Sequence, residues 1–236
     1  MKKILAALLA TACFIGCSKE PPQTIKDIAY DIDKSYGYTV YLTENEEYIP
    51  YLVLTHDYHG NCLLLRKNCL DTLMKYSDET ESSVKYDGSI VDDFLTQEFY
   101  QRYSDSVQSQ IILSALEPSN ALSRKVFLLS SDDIFDSDKK GEKQLKYFKK
   151  MTDSDNDLGV WWTRSVVFFQ KEVIGSGNLN ACVLGDDMYK NIVVGFKYRT
   201  FRKMEEYGVR PALCLPNDTA IINKTINNTN VYTIKE

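Results

Sequence analysis

The run Asp153-Ser154-Asp155-Asn156-Asp157 places carboxylates at alternate positions, as calcium loops do. An EF-hand loop then needs glycine at its sixth position and glutamate at its twelfth, where this chain has Leu158 and Arg164. The run predicts a solvated acidic loop, and Asp153, Asp155 and Asp157 leave at most a weak site for Ca2+. His56, Asp57 and His59 put two imidazoles and a carboxylate in one short stretch, ligand types that suit a transition metal. These are the chain's only histidines and both fall in a turn, so a solvated turn is the expectation. No Gly-rich phosphate loop, G-x-S-x-G elbow or H-E-x-x-H pair occurs. No cofactor is expected, and no residue is singled out as catalytic.

Cysteine chemistry is more informative. Met1-Lys2-Lys3 is a basic start, Ile4 to Ile15 is an apolar run, and Gly16 is a small residue directly before Cys17. This is the pattern of a secretory signal over residues 1–16. The run is shorter than the roughly 20 apolar residues a membrane-spanning helix needs. The cysteine after the small residue resembles the lipobox of bacterial lipoproteins. That resemblance implies cleavage before Cys17, a diacylglyceryl group on its thiol, and an exported chain lipid-anchored in the bacterial cell envelope. Two or more acyl chains anchor stably where one binds reversibly. Ser18 to Thr24 is polar and contains two prolines, so residues 17–25 read as a lipidated cysteine with a semi-rigid tether.

Cys13 would leave with the signal, and Cys62, Cys69, Cys182 and Cys214 remain. An exported chain permits disulfides. The spacing contains no C-x-x-C and no zinc pattern. Cys182 and Cys214 lie in apolar, strand-like stretches expected to be neighbours, which makes them the preferred pair; buried free thiols are the open alternative.

The length left after the signal suits one domain. The formal net charge of −5 becomes more negative once Lys2 and Lys3 are removed. Such a chain lacks the basic face that nucleic acid needs, so no nucleic-acid partner is expected. Tyrosine far outnumbers tryptophan, 16 to 2. Tyrosine serves both strands and binding surfaces.

The elements that must position these groups follow from periodicity. Tyr38 to Leu42 and Tyr48 to Thr55 read as strands, and Tyr48 to Arg66 as a hairpin turning at Tyr58-His59-Gly60-Asn61. Ser89 to Tyr103 has Ile90, Phe94, Leu95 and Phe99 at helical spacing. Residues 26–34 read as a short helix or edge strand, Val107 to Leu113 as a short helix or strand, and Lys125 to Ser130 as a buried strand or turn. Residues 131–159 are irregular and polar, with a helix expected at Glu142 to Lys150. Val160 to Phe169, Asn180 to Leu184, Asn191 to Phe196 and Val209 to Leu215 are further strands. Residues 26–216 form the domain, and 217–236 an edge strand or frayed tail. These elements predict an α+β domain of short antiparallel strands and two or so helices.

Three segments, in order, carry a resemblance: Leu63 to Lys67, Ser123 to Ser130, and Trp161 to Ser165 with Tyr207 to Leu213. Trp161-Trp162-Thr163-Arg164-Ser165 and Gly208-Val209-Arg210-Pro211-Ala212-Leu213 resemble the W-W-L-R-S and G-V-R-P-A-L blocks of an uncharacterised bacterial surface-domain family. Thr163 stands where that family usually has leucine. The resemblance implies a C-type-lectin-like fold, shared with formylglycine-generating (sulfatase-modifying) enzymes. The cysteine pair those enzymes use is not matched by Cys182 and Cys214, which are far apart in unrelated stretches. The lectin calcium motifs are not matched at Glu117-Pro118-Ser119-Asn120 or at Trp162-Thr163-Arg164.

Read alone, Trp161 and Trp162 alternate across a strand, one filling the core and the other covering a groove. Arg164 and Arg210 sit among apolar residues and must be paired, by stacking on tryptophan and by bidentate carboxylate bonds. Ser165, Gly208 and Pro211 complete the structural motif. The expected function is a non-catalytic module, held at the membrane, that binds an extracytoplasmic glycan, peptide or protein. The alternatives are an enzyme related to sulfatase-modifying factors and an envelope structural component.

Overall fold

The computed structural model describes residues 21–31, 38–77, 85–116, 121–134, 144–149, 161–167, 180–184 and 206–236. The strands in chain order are β1 (Thr39–Glu44), β2 (Glu47–Tyr58), β3 (Asn61–Arg66), β4 (Met74–Lys75), β5 (Ser114–Ala115), β6 (Ser123–Arg124) and β7 (Val126–Phe127). They continue with β8 (Trp161–Val167), β9 (Asn180–Leu184), β10 (Glu206–Tyr207), β11 (Ala212–Leu215), β12 (Ile221–Ile226) and β13 (Thr229–Ile234). Seven of them form one sheet in the order β12-β13-β1-β2-β3-β11-β7. β1 pairs with β13 in parallel and the other neighbours are antiparallel, so the sheet is mixed.

The expectation of an α+β, C-type-lectin-like domain is overturned by this architecture, which is mostly β around one large mixed sheet. The described α-helices, α1 (Ile90–Asp93), α2 (Asp105–Gln110), α3 (Ser131–Ile134) and α4 (Lys146–Lys149), are only four to six residues long. Two features of the sheet explain the difference. β2 runs for twelve residues, well beyond a short strand. The tail supplies two strands, and its inner one pairs with the first strand of the chain, a contact no local pattern encodes.

The centre of the sheet is buried on both faces. Leu52, Leu65, Ala212 and Phe127 form one row of direct partners across β2, β3, β11 and β7. Val53, Leu64, Leu213 and Val126 form the next row, on the opposite face. All eight are buried, which is why Cys62 to Leu65 and Ala212 to Leu215 read as continuous apolar runs without alternation. The β2–β3 hairpin turns at His59 and Gly60, both at positive φ (51° and 79°), as a two-residue turn with the right twist requires.

One face receives the helical stretch that Ser89 to Tyr103 predicted. Ser89 caps α1 by accepting from the Asp92 N–H at 3.2 Å. The chain then continues through a π-helical turn (Phe94–Phe99) and a 3-10 turn (Tyr100–Arg102). Leu95, Phe99, Tyr103 and Val107 are buried beneath it. There the Tyr51 hydroxyl donates to Glu44, lies 2.7 Å from the Tyr103 hydroxyl, and Arg66 Nε reaches Glu44 at 3.2 Å. This buried polar cluster ties β1, β2, β3 and the helical layer together.

Candidate functional site

The opposite face carries the cleft. Its first wall is the segment just after the expected tether. Thr24 and Asp27 cap a 3-10 turn (Ile25–Ile28), the Thr24 N–H donating to the Asp27 carboxylate at 2.9 Å. Ile25 N–H donates to the Thr219 carbonyl, Ile221 N–H to the Gln23 carbonyl, and Tyr30 N–H to the Val53 carbonyl. Tyr30, Tyr38 and Tyr147 meet edge to face with centroids 5.3, 5.3 and 5.7 Å apart, which fixes the Tyr30 ring. The end of β2 and the turn before α4 supply the remaining walls. Between them lies a space of about 620 Å³. Leu54, Tyr58 and Asp133 are among its inner residues, while Lys26, His56, Asp57 and Lys146 are exposed at its rim.

The floor is built around Arg164. Ser130 and Asp133 cap α3 reciprocally: Ser130 N–H donates to Asp133 Oδ2 at 2.7 Å, and Asp133 N–H to Ser130 Oγ at 3.1 Å. Arg164 Nη1 donates to the same Oδ2 at 3.0 Å and to the Leu128 carbonyl at 2.8 Å. Its Nη2 reaches the Tyr58 hydroxyl at 3.3 Å. The guanidinium carbon lies 5.8 Å from the Phe127 ring centroid, and Tyr58 stacks on the same ring. Burial, and after it the Asp133 charge, pushes the Tyr58 hydroxyl up, so it keeps its proton. Both bonds to the Asp133 carboxylate fall on Oδ2, and Oδ1 meets no donor among the described residues.

The two motif blocks meet at Trp161, Trp162 and Gly208, where they are packed inside. Trp161 bridges Gly208, and the Trp162 N–H donates to the Gly208 carbonyl at 3.0 Å. Arg210 donates through Nε to the Arg66 carbonyl and through Nη2 to the Lys67 carbonyl, both at 2.8 Å, and lies over Trp161. These acceptors are backbone carbonyls, where a carboxylate was expected. Pro211 returns the link by accepting from the Arg66 N–H. Both tryptophans are fully buried, correcting the expectation that one covers a groove. Trp162 is covered by Tyr76 and Tyr207, and its Nε1 donates to the Met74 carbonyl. Ser165 Oγ accepts from the Ser131 N–H at 2.8 Å, holding the start of α3.

Cys214 is a free buried thiol on β11, so the expected bridge to Cys182 is not formed. β9, which carries Cys182, pairs with β8 in a separate two-stranded sheet, so the two stretches are not the neighbours they were taken for. The Cys182 side chain lies outside the described residues. Cys62 and Cys214 belong to opposite faces of the sheet, since Cys62 pairs with Leu215 and Cys214 with Leu63. Burial pushes both thiols up to about 12. This is the reverse of thiolate activation.

Asp153, Asp155, Asp157, Cys17 and the strand expected at Asn191 to Phe196 lie outside the described residues. Of the two histidines expected in a turn, only His59 is in one, packing edge-on against Tyr58 at 4.8 Å, while His56 and Asp57 belong to the end of β2 and line the cleft rim. No three His, Cys, Asp or Glu side chains among the described residues converge to hold a metal. Sequence reading missed Tyr58 and Asp133 as site residues. The Ser130-x-x-Asp133 spacing of a helix start runs into the stretch read as irregular, and its link to Arg164 spans 31 residues.

Residues 59–217, more than half of the chain, match the model of a family described as a domain of unknown function (DUF6273). Asp133 and Arg164 lie inside the matched segment; the walls at 26–31 and 54–58 lie outside it. No curated protein and no solved structure matches the chain.

Proposed function

We propose that this chain, which belongs to the family described as a domain of unknown function (DUF6273), is an exported bacterial lipoprotein, cleaved before Cys17 and held at a membrane by lipid on that thiol. The anchored domain binds an extracytoplasmic glycan, peptide or protein without transforming it. The observation that carries the reading is the position of the cleft. Its first wall begins at Lys26, nine residues after Cys17. Nine extended residues reach about 30 Å at most, so the site is held close to the membrane surface. A space of about 620 Å³ falls in the usual size range of ligand pockets. The protonated, buried state of Cys62 and Cys214 favours binding over thiol chemistry.

Two measurements test this. The full chain, expressed in a bacterium fed an alkyne analogue of palmitate, incorporates the label and fractionates with membranes, while Cys17→Ser does neither. An unlabelled wild-type chain in the soluble fraction would sink the anchoring. Failure of the detergent-purified chain to retain any member of a broad glycan, peptide and envelope-protein panel would sink the binding role.

A further inference from the structure

From the floor of the cleft we infer that the ligand is a neutral saccharide whose hydroxyls pair with Asp133 Oδ1 as acceptor and the Tyr58 hydroxyl as donor. This rests on the ligand-binding reading above and narrows it to one chemical class.

Arg164 holds Asp133 through Oδ2 and Tyr58 through its oxygen, at 3.0 and 3.3 Å. One acceptor atom and one hydroxyl proton therefore remain unengaged among the described residues, side by side on a single guanidinium. Both groups are only partly buried, with the Asp133 side chain 12% exposed and Tyr58 half-buried at the cleft, so a ligand hydroxyl can reach them and replace the water they would otherwise bind. A sugar hydroxyl both donates and accepts, so one hydroxyl or two neighbouring ones satisfy the pair.

Charge decides against ionic ligands. The Asp133 carboxylate is already compensated by Arg164, with side chains 12% and 4% exposed. A ligand cation would meet the guanidinium behind Asp133, and a ligand anion would meet the carboxylate. The other charged groups at the cleft, such as Lys26, Asp57 and Lys146, lie at the exposed rim with both signs mixed, where solvent screens them.

Shape decides against a peptide anchor. The aliphatic lining is confined to Ala29, Leu54 and Leu145, which gives no deep apolar slot of the kind that seats an interface hot spot. Tyr30 supplies an aromatic wall held rigid by Tyr38 and Tyr147, suited to the C–H face of a pyranose.

The test uses the full chain in detergent, with immobilised neutral oligosaccharides of glucose, galactose, mannose and N-acetylglucosamine as probes. Glucosamine and glucuronate counterparts and a random peptide library complete the panel. Wild type retains neutral oligosaccharides. Tyr58→Phe, which keeps the ring on Phe127, weakens that binding at least tenfold while its melting temperature confirms folding. Tyr30→Ala provides an independent arm and also weakens it. Unchanged affinity in both variants, or preference for the charged sugars, overturns the saccharide assignment. Peptide capture without saccharide capture also overturns it but leaves the binding function standing. Retention of no probe of any class removes both.

Discussion

Asp133 and Arg164 are joined across 31 residues by one oxygen, Oδ2, which also accepts from the Ser130 N–H at 2.7 Å. The same carboxylate thus starts a helix turn and neutralises a buried guanidinium on β8. Removing one member of a buried pair leaves an uncompensated charge and costs about 3–5 kcal/mol, whereas replacing both with apolar groups is often close to neutral. Asp133→Ala is therefore expected to lower stability by about that amount in urea denaturation. Asp133→Leu combined with Arg164→Met should recover much of the loss. A double variant as unstable as the sum of the singles would show that the two residues act independently.

The two halves of this pair were not equally legible in the sequence. Arg164 stood out because a guanidinium among Trp161, Trp162 and Val166 demands a partner. Asp133 sat in a polar stretch read as irregular, and nothing local links it to β8. The hairpin over Tyr48 to Arg66 and the helical stretch over Ser89 to Tyr103 were readable because turn residues and apolar spacing are local signals. The parallel pairing of β1 with β13 was not, since it joins the two ends of the domain. Both tryptophans are core because Arg210 covers one and Tyr76 with Tyr207 covers the other. Strand alternation alone could not show that both faces are covered.

The buried thiols set a pH dependence. Burial holds Cys214 protonated up to about 12, whereas an unfolded cysteine titrates near 8.5. Between those values the native state keeps a proton that the unfolded state releases, so the unfolding free energy falls as pH rises. The contribution is complete below about pH 8 and declines by up to about 1.4 kcal/mol per pH unit above the unfolded value. Urea midpoints measured from pH 8 to pH 10 should fall less steeply for Cys214→Ala than for wild type. Equal slopes would mean that the thiol titrates alike in both states.

Arg210 should not tolerate lysine. Its guanidinium donates to two consecutive carbonyls, Arg66 and Lys67, while lying over Trp161. An ammonium on a flexible stem cannot reproduce that planar fork. Losing one or two charge-assisted hydrogen bonds at a fully buried position predicts about 2–4 kcal/mol for Arg210→Lys. Denaturant unfolding measures it, and a change below 0.5 kcal/mol, roughly that of a surface substitution, would deny the fork its role.

Deleting residues 219–236 should damage more than a tail. β13 covers the edge of β1 through the Val40–Tyr232 and Tyr41–Thr233 pairs. The same deletion removes the Thr219 carbonyl that accepts from Ile25 and the Ile221 N–H that donates to Gln23, loosening the cleft wall. It exposes the buried side chains of Val40 and Leu42 beside a row of unpaired backbone groups, and such an edge templates pairing with other chains. The truncated protein is expected to aggregate in light scattering at concentrations where the full chain does not. A soluble truncated monomer with an unchanged circular dichroism spectrum would show that the β12–β13 hairpin is dispensable for the sheet.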